Sequence, residues 1–290
     1  MAEVVVVHLV WAPLGPAALQ RFGASYRAHP GGADHRLAIV FKGFGDTGPG
    51  AAHLAALDGL EHETLRYDAP TLDLPAYAAC AEALDASHLC FLNSESVLLA
   101  DGWLAALLEQ LRAPGVGAVG ATGSYESPRS LNPLRRRRWP SFPNPHLRTN
   151  AFMLSRALMR DLRWPAVRTK PAAWELESGR DGFTRQVWSR GLRTLVVGRD
   201  GRGHPPEDWH RSATFRSGGQ ANLLVADNRT RQWEEADAAR RARLTRMAWG
   251  ADPDAAAARV QALLPVSAAD AQARSGPGGR TGGPMRASGA

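Results

Sequence analysis

Short apolar runs rich in β-branched residues recur along this chain with helical stretches between them, and that alternation limits its possible folds more tightly than any other feature. Val4 to Val10 is an unbroken valine-rich run that exits through Ala12-Pro13-Leu14-Gly15. A strand with no polar alternation is one buried on both faces, as in a parallel sheet. Pro16 to Ala28 reads as a helix, His35 to Phe41 as a second strand, Ala51 to Leu57 as a short helix and Glu63 to Tyr67 as a weaker strand. An alanine-rich helix after Pro75 leads into the strand His88 to Leu92, followed by the amphipathic helix Gly102 to Leu111 and the strand Val116 to Ala121. Parallel strands joined by helices need right-handed crossovers, and such sheets bind ligands beyond the carboxyl ends of their strands.

The second half is less regular. Ser127 to Pro145 is too rich in proline and arginine for regular structure. Asn150 to Asp161 resumes a strand-to-helix pattern, and Thr184 to Arg190 predicts a helix closed by Gly191 before the strand LRTLVVG. Trp233 to Leu244 predicts one charged amphipathic helix; Gln220 to Asn228 reads as strand or helix with no assignable chemistry. Residues 251–290 are expected to hold a last helix and then a disordered tail, since Gly, Ala, Ser, Pro and Arg dominate from about Ser267.

With 290 residues, 44% of them hydrophobic, the chain can bury one large α/β core. No apolar run approaches the roughly 18–20 residues of a membrane span, and the first residues lack a basic leader, so a cytoplasmic protein is expected. Cys80 and Cys90 lie without metal-ligand spacing and read as small core residues. The net charge of +7 is densest at Arg135 to Arg138. With 28 acidic residues spread through the body, a solvated helix face, an anionic small molecule or a peripheral membrane contact explains this charge as well as a nucleic acid would, and no nucleic-acid partner is expected.

Chemistry is expected where polar groups follow apolar strands. Asn93-Ser94-Glu95 ends the strand at Leu92 and offers an amide and a carboxylate oxygen to a hard cation such as Mg²⁺ or Mn²⁺. The same residues would equally serve as a polar turn capping a helix. Lys42 and Asp68 end two other strands, and His146 to Asn150 precedes the later apolar segment, with Arg148 suited to a phosphate or carboxylate.

From Asp73 to Ser124 the order of motifs resembles the donor-binding half of family-two glycosyltransferases: an alanine-rich helix, a strand ending in Leu92-Asn93-Ser94-Glu95, then Gly102-Trp103-Leu104, a helix and a valine-rich strand ending in Gly. The resemblance implies a single-domain GT-A fold, a doubly wound, mostly parallel sheet flanked by helices. It implies a nucleotide-sugar donor half over 1–125 and an acceptor-binding, catalytic half over 126–250 of the same domain. On that reading Ala12, Lys42, Asp68, Asn93, Ser94 and Glu95 hold the donor, and Trp103, His146, Arg148 and Asn150 meet a glycan, lipid-linked or small-molecule acceptor. Asn93, Glu95 and His204 (or His210) would ligate a divalent metal, and Glu177 or Asp181 would act as the base. The spacing to Gly191 favours Asp181 slightly, whereas Glu177 lies in a tight Glu-Ser-Gly turn, and either would equally serve as a cap of the helix starting near Phe183. The chain departs from the family's Asp-x-Asp by keeping a single carboxylate in Asn93-Ser94-Glu95, and it places Lys42 where the family offers an acidic or amide residue. Two other readings stay open: a sugar nucleotidyltransferase, which would need a Gly-rich, Lys-containing loop that Ala12 to Pro16 does not provide, and a GT-A-like binding domain with little catalysis.

Overall fold

A computed structural model describes residues 3–130 and 136–264. In chain order the elements are β1 (Val4–Trp11), α1 (Pro16–Ala28), β2 (Arg36–Lys42), α2 (Ala51–Ala55), β3 (Glu63–Tyr67), α3 (Asp73–Ala83), β4 (His88–Leu92), β5 (Val97–Leu98), α4 (Trp103–Leu111), β6 (Val116–Gly120), β7 (Gly123–Ser124), β8 (His146–Leu147) and β9 (Ala151–Ser155). There follow α5 (Arg156–Asp161), α6 (Lys170–Ser178), α7 (Phe183–Trp188), β10 (Arg193–Val197), β11 (Gly203–His204), β12 (Val225–Ala226), α8 (Asn228–Glu234), α9 (Ala238–Trp249) and α10 (Pro253–Gln261).

The main sheet has eight strands in the order β11-β10-β6-β9-β4-β1-β2-β3. β1 pairs in parallel with both β2 and β4, β2 with β3, and β6 with β10; β9 runs antiparallel between β4 and β6. This is the doubly wound, mostly parallel sheet that the resemblance implied. The chain winds outward from β1 through β2 to β3, then returns to lay β4 on the other side of β1. Strand order therefore reverses between β1 and β4, and the crevice beyond their carboxyl ends is where such a sheet takes ligands.

Alternate residues of the strands feed two cores, one per face. Val5, Val7 and Leu9 of β1 join Tyr77 of α3, Phe152 of β9 and Phe183 of α7. Val4, Val6 and Val10 join Phe22 of α1 and Leu104 and Leu107 of α4. Cys80 and Cys90 are free and buried, one in each core. The Gly102-Trp103-Leu104 motif is explained by packing: Gly102 takes a left-handed φ of 72° at the start of α4, and Trp103 and Leu104 are fully buried. The expected contact of Trp103 with an acceptor is thereby corrected, because no part of its side chain reaches solvent.

Two local expectations also change. The single helix over Trp233 to Leu244 is instead two: α8 ends at Glu234, and the Asp237 carboxylate accepts the Arg240 N–H to cap α9. Glu177 lies in the last turn of α6, not in a turn after it. The last helix is present as α10, whereas Arg135 and the tail from residue 265 lie outside the described residues. Among the described residues no helix is long and apolar enough to cross a membrane.

Candidate functional site

At the carboxyl end of β4, Asn93 Oδ1 accepts the Glu95 N–H at 3.1 Å and the Ser96 hydroxyl at 3.0 Å, an Asx-type turn that fixes Glu95 over the switch point. Asn150 holds this turn from the neighbouring β9 end: its carbonyl accepts the Asn93 N–H at 2.8 Å and the Ser96 hydroxyl at 3.2 Å. Ser94 is buried within the turn. Glu95 does not stand free. Its Oε2 accepts Arg21 Nη2 of α1 at 3.1 Å and also Arg231 Nη2 of α8, while Arg231 Nη1 donates to the Glu95 carbonyl at 3.2 Å.

The neighbouring strand ends add mixed charge. Ala12 opens the turn after β1, and Trp11 before it is 37% exposed, with the Lys42 ammonium 5.9 Å from its ring centroid. Lys42 is buried at the end of β2; desolvation pushes its pKa down, against the attraction of Asp73 at the start of α3. Burial raises the Asp73 pKa, Lys42 opposes that rise and Glu177 adds to it. Asp68, at the end of β3, accepts the Gly45 N–H at 3.2 Å and keeps an exposed carboxylate.

The facing wall comes from the second half of the chain. Glu177 Oε1 accepts both the Thr149 N–H at 2.7 Å and the Thr149 hydroxyl at 2.9 Å. Arg148 donates to Asp227 at 2.7 Å, with side chains 12% and 1% exposed, and stacks on Phe215 at 4.3 Å. Burial alone would lower the Arg148 pKa, but Asp227, Glu177 and Glu126 outweigh it and leave it raised. Burial alone would raise that of Asp227, yet Arg148 and the Arg229 and Thr230 amides hold it below the usual carboxylate range. Asp181 is exposed in the turn before α7, and its carbonyl accepts Gln186 Nε2. His146 is buried, its Nδ1 against the Asn144 carbonyl at 2.8 Å, and the Asn150 side chain is buried against Thr122 Oγ1 at 2.6 Å. Both serve as framework behind the wall, not as exposed acceptor contacts.

The residues present do not suit a hard divalent ion. Asn93 Oδ1 is spent on the turn, Glu95 is engaged by two guanidiniums, and among the described residues no three His, Cys, Asp or Glu side chains converge. The expected ligand His204 is corrected: it lies on β11, four strand spacings from β4 or about 19 Å, too far to share an ion with Glu95. His210 pairs with Asp254 at 2.8 Å.

Sequence reasoning missed Arg21, Arg231, Asp73, Trp11 and Asp227. For Asp227 a signal existed: Asp227 followed by Thr230 is a capping-box spacing, and both reciprocal bonds are made, at 2.9 and 2.8 Å. Trp11 is the exposed end of an otherwise buried strand, which marks it only once the strand end is placed.

No family model and no curated protein matches the chain. Among solved structures it is similar to glucosyl-3-phosphoglycerate synthase from Mycobacterium tuberculosis, solved with Mn²⁺, UDP and phosphoglyceric acid, at 14% identity and a TM-score of 0.41 over 58% of this chain and 60% of that one, so the likeness spans under two thirds of that protein. It is also similar to a mannosyltransferase from Pyrobaculum calidifontis, solved with GDP-mannose and Mn²⁺, at 12% identity and a TM-score of 0.47 over 94% of this chain and 79% of that one. The fold assignment rests on the strand order and pairing described above.

Proposed function

We propose that this chain is a glycosyltransferase that moves a sugar from a nucleoside-diphosphate donor, held at the β1/β4 switch point, to an acceptor hydroxyl on the side of Arg148 to Asn150. The observation that carries this reading is the pairing of a fixed carboxylate, Glu177, with the charged strand ends opposite it: Glu177 is anchored by Thr149 and lies close enough to Asp73 to raise that group's pKa. The donor half, 1–125, contributes the strand ends, and the second half, 126–250, contributes the base.

In this reading Trp11 offers its exposed face to the nucleobase, since ring stacking tolerates any base, and Asp68 faces the ribose. Transfer with inversion needs one carboxylate to take the acceptor hydroxyl proton as that oxygen attacks the anomeric carbon, while the sugar–phosphate bond breaks and the nucleoside diphosphate leaves. Glu177 is better placed than Asp181 for that role. Two hydrogen bonds from Thr149 hold its carboxylate in place, whereas Asp181 is exposed in a turn. Cationic groups at the diphosphate stabilise the departing charge.

The turn after α6 is also tied to the arginine segment, because the Arg180 N–H donates to the Arg138 carbonyl at 2.9 Å and Arg180 Nη2 to the Arg136 carbonyl at 3.2 Å. Exposed Arg136, Arg137 and Arg138 thus sit beside the acceptor side and suit an anionic membrane surface or a lipid-linked acceptor. Flotation with anionic vesicles that persists when all three are replaced would remove that contact.

Thermal-shift screening against UDP, GDP, CMP and TDP tests the reading. A ligand bound only by the folded state raises the melting point by mass action, so one base-selective shift is expected. A flat response to every nucleotide would favour a binding domain of another kind.

A further inference from the structure

Glu95, the carboxylate that the sequence marks for a metal ion, is held by two cations of the chain's own. We propose that Arg21 and Arg231 form the diphosphate-binding pair of the donor site, standing where a divalent ion would otherwise stand. Glu95 occupies the pair while the site is empty and leaves it when the donor arrives. This rests on the glycosyltransferase reading above and names how that site holds its donor.

Position is the first argument. Glu95 follows β4, Arg21 rises from the helix that follows β1, and these are the two strands that flank the switch point. Charge is the second, because two guanidiniums share one carboxylate and the group keeps a surplus positive charge at the crevice. Access is the third. The Arg21, Arg231 and Glu95 side chains are 46%, 28% and 19% exposed, so an anion from solvent can reach the guanidiniums. The fourth is that Arg231 Nη1 is anchored separately on the Glu95 carbonyl, so Arg231 keeps its place when the carboxylate swings away. Arg231 also lines a recess of about 310 Å³ together with Asn228, Gln232, Glu235 and Arg240, so one side of its α8 neighbourhood is open to solvent.

A guanidinium matches a phosphate with paired N–H donors, and a diphosphate carries more charge than the single carboxylate it replaces. Exchange is therefore electrostatically downhill. A cation at the same place would first have to strip Glu95 from both arginines.

The two roles of Glu95 predict opposite signs for one substitution. UDP, GDP and inorganic pyrophosphate are titrated calorimetrically into the full chain, first in EDTA and then with Mn²⁺, for the wild type, Glu95→Gln, Arg231→Gln and Arg21→Gln. In EDTA at least one nucleoside diphosphate binds; Glu95→Gln tightens it about three- to tenfold by removing the internal competitor. Each arginine variant weakens it about tenfold or more, and pyrophosphate follows the same order. Arg21 is nearly half exposed, so its replacement reports on binding even if Arg231→Gln disturbs folding. Binding that requires Mn²⁺ and is abolished by Glu95→Gln overturns the arginine pair while leaving the glycosyltransferase reading intact. Nucleotide binding indifferent to all three substitutions places the diphosphate elsewhere and likewise overturns it. No binding of any nucleotide under either condition overturns both.

Discussion

Two arginine–carboxylate contacts flank the crevice and differ in almost everything except their chemistry. Arg148 and Asp227 are sealed, with Asp227 also capping α8 and Arg148 stacked on Phe215. Arg21 is nearly half exposed at the strand ends, and Arg231 and Glu95 are partly exposed beside it. A buried pair is costly to break because either partner alone is a stranded charge, whereas an open one is worth little and is easily exchanged. The same residue types therefore build a rigid wall on one side and, in the proposed reading, a replaceable anion contact on the other.

The largest expected effect lies on the sealed side. Asp227→Ala leaves Arg148 buried without its partner and uncaps α8, so it should destabilise the fold by about 3–5 kcal/mol, read as a lowered midpoint in urea. A loss under 1 kcal/mol would erase the contrast. The double change Arg148→Met with Asp227→Leu sharpens it, since removing both charges should recover much of that loss.

Next comes Glu177→Gln, which keeps the size of the side chain and removes the carboxylate proposed as the base. Turnover with the nucleotide sugar that proves to be the donor should fall by about 10²–10⁴-fold while nucleotide binding stays near that of the wild type. Equal turnover would move the base to Asp181.

Away from the crevice, His8 is fully buried in β1 and stacked on Phe22 at 3.6 Å, with neither ring nitrogen partnered. Burial pushes its pKa down to about 3. The folded state thus binds fewer protons than the unfolded state between about pH 6.5 and 3, so this residue costs stability increasingly as pH falls through that window. His8→Phe should stabilise the fold more at pH 5 than at pH 8, by on the order of 2 kcal/mol. Equal gains at both pH values would show a packing effect instead. The smallest effect belongs to the open side: Glu95→Gln should change the unfolding free energy by less than about 1 kcal/mol.

The fold was readable because its signal is local. Valine-rich runs such as Val4 to Val10 and the alanine-rich helix near Cys80 declare strand and helix without knowledge of their neighbours, and the alternation dictates a parallel sheet. The turn Asn93 to Glu95 was readable for the same reason, as polar residues at an apolar strand end. What escaped depends on pairing across long separations. Arg231 is 136 residues from Glu95, and Asp227 is 79 from Arg148, so nothing in either segment announces its partner. His204 shows the converse error. Its residue type suits a metal, but its place on the far edge strand does not. Trp103 was a motif residue whose role is packing, a distinction that burial decides and sequence does not.

The most direct test of the central claim is a crystal structure of the protein grown with the nucleoside diphosphate that gives the largest thermal shift. The account predicts its diphosphate beyond the carboxyl ends of β1 and β4, against Arg21 and Arg231, with Glu177 across the crevice. A nucleotide bound away from the β1/β4 switch point would contradict it.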